Sequence, residues 1–302
     1  MARSATVEVK VGSTTLRLSN LDKVLYPEVG FTKGQVIDYY SRIAPVVLPH
    51  LRARPLTLKR YPNGVDDKFF YEKQAPSHRP DWVKTHPIPA RGRTIDFVLA
   101  NDQRTLVWLA NLADLELHTS LSKAKEIERP TMMAFDLDPG PPATIVECSQ
   151  VALWLRAIFD QLGLESFAKT SGSKGMQIYV PLNVKTSYDE TKPFAKALAE
   201  LLEKQHPKQV VSTQKKELRP RKVLIDWSQN DEHKTTVCVY SLRAKARPTV
   251  STPITWDEVE EILDSGDPDR GAFDSDTVLA RVEEHGDLFE PVLKLKQKLP
   301  EL

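Results

Sequence analysis

The sequence predicts a mixed α/β fold, and three observations carry that prediction. Thr32 is placed to cap a helix with a single apolar stripe, a strand–helix–strand succession occupies residues 132–170, and β-rich runs alternate with a second long helix beyond it. Residues 6–18 are β-like. The first helix runs over about residues 33–48, because Val36, Ile37, Tyr40, Ile43, Ala44 and Val47 recur at helical spacing, and Pro49 is expected to stop it. Residues 55–61 read as a strand, Pro62-Asn63-Gly64 as a turn, and Phe69, Phe70 and Tyr71 follow. A hairpin is expected over residues 85–99 around Arg91-Gly92-Arg93, then a mostly buried helix over 106–117 ending at His118. Residues 132–138 form a strand, 145–162 a helix stopped by Gly163, and 166–170 a strand. Ser171-Gly172-Ser173-Lys174-Gly175 leads into an alternating strand over 176–182. A helix over about 189–205 precedes a basic segment, 215–222, and a strand carrying Asp226. The β-rich run 234–240 is expected to close a hairpin with that strand across the polar turn 228–232, and residues 256–263 and 276–284 read as helices.

A chain of 302 residues can bury a large core, and 40% hydrophobic with 27% charged residues is ordinary for a soluble protein. No apolar run approaches about 20 residues, so no membrane span is expected. The first ten residues lack the apolar stretch of a secretory signal, and a cytosolic location is expected. Cys148 and Cys238 are too few for a disulfide framework or a zinc site and are read as reduced thiols. The net charge of +1 conceals opposed local fields: residues 204–247 carry 11 Lys/Arg against 4 Asp/Glu, whereas 255–290 carry 13 Asp/Glu against 2 Lys/Arg. A basic segment of that kind admits nucleic acid as a partner, although both segments also read as ordinary solvated faces.

Asp136 and Asp138, in Phe135-Asp136-Leu137-Asp138-Pro139, are two residues apart on a strand and project to the same face. With Asp226 in Val223-Leu224-Ile225-Asp226-Trp227 they offer three hard oxygen ligands of the type that suits Mg²⁺ or Mn²⁺. Taken alone, Asp-x-Asp-Pro-Gly is equally the chemistry of a turn, and that reading is favoured. The Ser171–Gly175 segment packs backbone N–H groups, two hydroxyls and an ammonium into five residues, a composition suited to phosphate. It lacks the Walker A spacing, and by itself a solvated turn is the stronger reading.

The order of these features resembles the archaeo-eukaryotic primase superfamily, and within it the polymerase domain of bacterial ligase D and its stand-alone primase-polymerase relatives. Six segments carry the resemblance: residues 18–27, Lys59-Arg60-Tyr61-Pro62-Asn63-Gly64-Val65, 135–140, 170–175, Ile225-Asp226-Trp227-Ser228-Gln229-Asn230, and Tyr240-Ser241-Leu242-Arg243. It covers about residues 14–290. The resemblance implies a primase-type catalytic core of two packed β-sheets flanked by helices, with the active site in the cleft between them. It implies one catalytic domain, with DNA contacts in residues 1–130, catalytic motifs in 131–250 and an acidic helical region in 251–302.

The implied activity is template-directed nucleotidyl transfer that fills short gaps in DNA, with a preference for ribonucleotides and for Mn²⁺, in end joining or gap repair. Asp136, Asp138 and Asp226 would hold two divalent ions. Ser171, Ser173, Lys174 and Gly175 would hold the incoming triphosphate with Arg243, whose forked guanidinium suits phosphate oxygens, and Lys234 would assist. His118 would lie by the nucleotide sugar and phosphates and, with Ser171, favour a ribose 2′-hydroxyl. Gln177 departs from the family pattern, which places a histidine there, so its contact to the triphosphate would lack charge. Asn20, Lys23 and Lys33 match residues that bind the 5′-phosphate across a gap. Tyr71, with Phe70 beside it, matches the aromatic that stacks on the template. Lys59, Arg60, Arg91, Arg93, Lys215, Lys216, Arg219 and Arg221 would touch DNA, for which phosphate contact needs no base sequence. The implied partners are gapped or broken duplex DNA with a 5′-phosphate, nucleoside triphosphates, an ATP-dependent ligase and an end-binding protein, with a nucleoid association. No ligase or nuclease pattern is expected in the chain, which is read as a stand-alone enzyme or an excised domain. Two further readings stand beside this one: a primase that starts strands without a primer, and a non-catalytic module that bridges DNA ends. A metal-dependent nuclease or phosphatase would leave the phosphate turn and Arg243 without a use.

Overall fold

Strand β10 (Met132–Pro139) has two faces of different chemistry, and the fold follows from that. In the computed structural model, which describes residues 6–90 and 92–300, Met133, Phe135 and Leu137 point into an apolar layer, while Met132, Ala134, Asp136 and Asp138 alternate onto the other face. Arg91, expected at a hairpin tip, lies outside the described residues.

The chain opens with the hairpin β1 (Thr6–Val11) and β2 (Thr14–Ser19), then β3 (Val24–Tyr26), β4 (Phe31–Thr32), α1 (Lys33–Leu51), β5 (Leu56–Arg60) and β6 (Phe70–Glu72). The hairpin β7 (Thr85–Ala90) and β8 (Arg93–Val98) is followed by α2 (Gln103–Asn111) and β9 (Asp114–Thr119). After β10 come α3 (Ile145–Gln161), β11 (Phe167–Thr170), β12 (Met176–Pro181), α4 (Tyr188–Gln205), β13 (Val210–Val211), β14 (Val223–Asp226) and β15 (Thr236–Val237). The chain then runs through β16 (Pro253–Ile254), α5 (Trp256–Ser265), α6 (Ser275–His285) and α7 (Pro291–Lys294).

Two sheets carry the site. The larger has six strands in the order β13-β14-β10-β12-β11-β16, and the second has four in the order β15-β9-β5-β6. One face of the six-stranded sheet buries Phe135, Leu137, Ile178 and Ile225 beneath α3, α4 and α5. On its other face Met132, Ala134 and Tyr179 join the core that Leu56, Leu58, Leu115 and Leu117 of the second sheet share with α1 and α2. Further along β10 that same face turns polar, and the two sheets part around a cleft.

Register within the six-stranded sheet is held partly by a side chain. Buried Asn230 accepts the Ala134 N–H at 2.9 Å and donates to the Ala134 carbonyl at 2.7 Å, so its amide continues along β10 the pairing that β14 provides only as far as Asp226.

Three expectations are corrected. Helix α1 passes Pro49, and also contains Pro45, ending at Leu51. The Ser41 carbonyl, which would accept from an N–H at position 45, accepts instead from Gln103 Nε2 at 3.0 Å, and the buried stripe through Val47 and Leu51 keeps the last turns helical. The helix expected over 106–117 is two elements. Asp102 caps α2, which stops at Asn111, Ala113 takes a left-handed conformation (φ 57°), and residues 114–119 form β9. Leu115 and Leu117 suit helical spacing too, but as a strand they are buried on one face while the backbone pairs with β5. Residues 234–240 do not return to the Asp226 strand. β13 and β10 occupy both edges of β14, so β15 crosses the cleft and pairs with β9, Thr236 opposite Thr119 and Val237 opposite His118.

Asn230→Ala should destabilise the protein by about 2–3 kcal/mol, because it leaves a buried N–H and a buried carbonyl of Ala134 unpaired. Urea unfolding of the two proteins measures this, and a loss below about 0.5 kcal/mol would refute the register role.

Candidate active site

Cross-strand pairing assembles a polar row on the cleft face of the six-stranded sheet. Asp226 on β14 is opposite Asp136 on β10, Asp136 is opposite Gln177 on β12, and Gln177 is opposite Lys169 on β11. Asp138, two residues along β10, shares that face. The two motifs, 90 residues apart in sequence, are therefore neighbours in one ladder.

Three acidic side chains so close are electrostatically unfavourable. The Asp136 carboxyl is pushed up to about 7, first by burial and then by the charges of Asp138 and Asp226, against the Gln177 amide that donates to its Oδ1 at 3.0 Å. Asp138 is raised for the same two reasons, burial and then the charge of Asp226, and Arg219 opposes the rise. Asp226 is held otherwise: its Oδ1 accepts from the Ser228 N–H and hydroxyl at 3.0 and 2.6 Å, and its Oδ2 from Gln229 Nε2 at 2.8 Å. No group of three or more His, Cys, Asp or Glu among the described residues stands arranged to hold a metal ion. The donor chemistry nevertheless fits a divalent cation. Asp136 and Asp138 are hard oxygen donors side by side, their ionised forms disfavoured until a positive charge arrives, and the third carboxylate is directly across the ladder.

The Ser171–Gly175 turn, between β11 and β12, opens onto the same cleft, of about 730 Å³, as Asp136, Asp138, His118 and Arg243. The turn is forced to approach β10 closely. A Cβ at Gly175 would lie 2.0 Å from the Leu137 carbonyl oxygen, and Gly172 adopts φ 64° with a would-be Cβ 2.6 Å from the Val250 backbone. Ser171 Oγ accepts the backbone N–H groups of Ser173 and Gly175, each at 3.2 Å, so the hydroxyl oxygen sits where the turn would present those donors to an anion. Ser173 and Lys174 are exposed to the cleft.

The opposite wall is the four-stranded sheet. His118 Nε2 is 3.0 Å from Glu116 Oε2, and Arg243 reaches across, donating from Nη1 to the Ser171 carbonyl while its Nε is 3.4 Å from Glu116 Oε2, an ion pair without hydrogen-bond alignment. Burial lowers the His118 pKa, with Arg243 adding to the fall, although the Glu116 hydrogen bond opposes it. Sequence reasoning does not single out Glu116. Its signal is the alternation Asp114-Leu115-Glu116-Leu117-His118, which a helix assignment over 106–117 hides.

Gln177 lines the cleft but is 4% exposed, and its amide is committed to Asp136 and, through Oε1, to the Tyr179 hydroxyl at 3.3 Å. Lys234 is exposed at the cleft rim. Tyr71, 59% exposed, faces the same cleft with its ring 6.3 Å from that of His118, whereas Phe70 points away and lies against the Arg60 guanidinium at 5.0 Å. Lys59 is paired with Glu116 at 3.2 Å. On the far side, Lys33 Nζ donates to the Ser19 carbonyl at 2.7 Å, and its pKa is lowered to about 8, first by burial and then by the charges of Lys23 and Arg60. Asn20 precedes that cluster in a left-handed conformation (φ 55°), and Lys23 Nζ donates to Asn63 Oδ1 at 2.8 Å. Arg93 lies at the turn end of the β7–β8 hairpin, opposite Ala90, beside a second cavity of about 350 Å³. Lys215, Lys216 and Arg221 are exposed, while Arg219 is partly buried close enough to Asp138 to act on its charge.

The model of the LigD primase-polymerase domain matches residues 32–289. The chain belongs to this family. It is 42% identical over 279 residues to the multifunctional non-homologous end joining protein LigD of Mycolicibacterium smegmatis, covering 92% of this chain and 36% of that protein. It is 31% identical over 272 residues to the bifunctional LigD of Bacillus subtilis, covering 90% and 43%. The solved polymerase domain of Mycobacterium tuberculosis ligase D in complex with DNA superposes with a TM-score of 0.86 at 37% identity, over 93% of this chain and 99% of that one. The chain thus has the fold of a LigD polymerase domain and spans a little over a third of the length of the mycobacterial LigD. No helix among the described residues is long and apolar enough to cross a membrane.

Asp136→Asn tests the carboxylate crowding. An unfolded-state aspartate ionises near 3.8, whereas the native Asp136 keeps its proton to about 7, so the native state binds more protons across that window and loses stability as pH rises through it. The amide cannot ionise, so the substitution removes the loss. Without divalent cation the variant should be more stable by roughly 4 kcal/mol at pH 8, with the gain shrinking towards zero near pH 4. Thermal unfolding from pH 4 to 8 measures this, and a gain independent of pH would refute it.

Proposed function

We propose that this LigD-family domain is a template-directed nucleotidyltransferase that adds nucleotides to a primer 3′-hydroxyl at short gaps and broken ends in DNA. The observation that carries the reading is the contact between the two motifs: the Gly175 end of the anion-suited turn packs on the Leu137 carbonyl, between Asp136 and Asp138, so a triphosphate in the turn has its α-phosphate beside the carboxylates.

Each wall of the cleft has a role in this reading. Lys174, Ser173 and the backbone N–H groups of the turn bind the outer phosphates, and Arg243, fixed by the Ser171 carbonyl and Glu116, turns its remaining guanidinium edge to them. Ser171 exchanges its internal bonds to the Ser173 and Gly175 N–H groups for contact with the nucleotide, and with His118 it stands close to the ribose, which supports a preference for ribonucleotides. Asp136, Asp138 and Asp226 would hold two divalent ions, Mn²⁺ or Mg²⁺, which when bound neutralise charge on the phosphates and lower the pKa of the attacking hydroxyl. Gln177 orients Asp136 through its amide. Lys33, lowered first by burial and then by the charges of Lys23 and Arg60, forms with those two and Asn20 a receptor for the 5′-phosphate on the far side of a gap. The exposed Phe69 and Tyr71 rings offer stacking surface to the template, and the exposed Lys215, Lys216 and Arg221, with Arg219 and Arg93, supply further phosphate contacts. All three regions, 1–130, 131–250 and 251–302, serve one catalytic domain, and an ATP-dependent ligase and an end-binding protein complete the repair reaction.

Single-nucleotide extension on a gapped duplex tests the proposal. The unaltered protein should extend the primer with rNTP faster than with dNTP, and better with Mn²⁺ than with Mg²⁺. Asp136→Ala or Asp226→Ala should lower the rate more than about 100-fold while DNA binding persists. Extension that survives either substitution would remove the carboxylate assignment. Lys33→Met should abolish the advantage of a 5′-phosphorylated gap over an unphosphorylated one, and an unaltered protein indifferent to that phosphate would remove the receptor.

A further inference from the structure

Glu116 joins two parts of the cleft that the nucleotidyltransferase reading treats separately. Its side chain is 1% exposed, and both oxygens are occupied. Oε1 accepts from Lys59 Nζ at 3.2 Å, the Ala244 N–H at 3.1 Å and the Tyr61 hydroxyl at 3.4 Å, while Oε2 faces His118 Nε2 at 3.0 Å and Arg243 Nε at 3.4 Å. A carboxylate so buried is costly unless its partners compensate, and here three basic side chains and a backbone N–H do so. Burial works to raise the Glu116 pKa, but the His118 hydrogen bond and the charges of Arg243 and Lys59 overcome it and hold the group well below the ordinary carboxylate range.

The partners on the two oxygens have different neighbours. Arg243 and His118 line the cleft beside Ser171, where the phosphates and sugar of a nucleotide belong. Lys59 stands under the aromatic surface, its Nζ 4.6 Å from the Phe69 ring centroid, 5.3 Å from that of Tyr61 and 5.7 Å from that of Tyr71. Phe69 and Tyr71 are 49% and 59% exposed, a large apolar area left open where a base can stack. Lys59 cannot shift towards the rings without withdrawing from Oε1, and a displaced Glu116 would release Arg243 and His118 together.

We propose that Glu116 is a positioning residue that couples the aromatic platform to the triphosphate pocket, so that a base stacked on Phe69 and Tyr71 tightens the hold of Arg243 and His118 on the incoming nucleotide. The proposal rests on the nucleotidyltransferase reading and adds to it an energetic link between template seating and nucleotide affinity.

A double-substitution cycle on a gapped duplex tests it, with Tyr71→Ala, Glu116→Gln and the pair compared for nucleotide KM, kcat and thermal stability. Each single change should raise KM about 10-fold with kcat altered less than about 3-fold, and the pair should raise KM no more than about 3-fold beyond either single change. Independent effects that multiply to about 100-fold, or an unchanged KM in Glu116→Gln, would overturn the coupling. Should Glu116→Gln fold poorly, Lys59→Met separates the platform while leaving Glu116 on Arg243 and His118; it should cancel the further effect of Tyr71→Ala on KM, and a full effect there would overturn the proposal. The same cycle is read by equilibrium binding of a fluorescent nucleoside triphosphate to the DNA-bound protein. An unaltered protein that binds the nucleotide but extends no primer would sink the polymerase reading while the binding cycle still decides the coupling. One that binds none would overturn both.

Discussion

The antiparallel register between β10 and β14 is the constraint on which the site depends. Side chains alternate along both strands, so a slip of β14 by one residue on β10 would drive Asp226 into the layer beneath α3 and bring Ile225 into the cleft beside Asp136. The apolar face prevents it. Phe135, Leu137, Ile178 and Ile225 are fully buried, and exchanging such side chains for carboxylates would cost several kcal/mol apiece. Asn230 adds a polar lock to the apolar one, since its amide fits only where Ala134 presents both backbone groups. The acidic row is therefore placed by residues that never touch a substrate.

That row works against the stability of its own sheet. Asp136 is raised, and at the other end of the ladder Lys169 is lowered to about 7, chiefly by burial, although the Asp136 charge favours its protonated form. Lys169 is not idle: Nζ donates to the Val237 carbonyl at 3.1 Å and to Ser251 Oγ at 2.6 Å, tying β11 to the strand that crosses to the second sheet. Between these two titratable side chains Gln177 carries no charge. It donates to Asp136 without changing the net charge of the ladder, and the Tyr179 hydroxyl, itself bonded to Thr236 Oγ1 at 2.9 Å, fixes which way its amide points. Groups displaced from their ordinary protonation by burial and by one another are what a site looks like when charge is kept for chemistry.

The parts legible in the sequence are those with local signals. Thr32 caps α1 as its type and position imply, and the strand–helix–strand around Asp136 follows its apolar pattern, whereas the meeting of Asp-x-Asp with Asp226, ninety residues on, is implied by the family resemblance and not by a local signal. The parts that are not legible depend on partners distant in sequence. Pro45 is accommodated because Gln103, about sixty residues on, takes the Ser41 carbonyl, and the helix continues through Pro49 on the buried stripe of Val47 and Leu51. Leu115 and Leu117 satisfy helical and strand spacing equally, and only pairing with β5 decides between them. β15 resembles a hairpin arm because the neighbours of β14 are invisible from the turn at 228–232. Glu116 is lost with its strand. As part of a helix, it has no reason to share a face with His118.

Strand β5 then gives the cleft a physical ruler. Lys59 and Arg60 are adjacent and so point to opposite sides: Lys59 to Glu116, Arg60 to the Lys23 and Lys33 cluster. Their partners on β6 repeat the division, with Tyr71 opposite Lys59 and Phe70 opposite Arg60. A register shift between Lys59 and Arg60, where β9 contributes an additional residue, and the Asp114 carboxylate accepting the Lys59 N–H at 2.8 Å keep the two side chains turned apart. In the gap-filling reading, the incoming nucleotide is held on one side of this strand and the 5′-phosphate beyond the gap on the other. The separation between them is set by backbone geometry rather than by flexible side chains, so a substrate whose gap is longer than the strand allows can engage one receptor or the other but not both. Preference for short gaps would follow from that geometry without any contact that reads the sequence of the DNA.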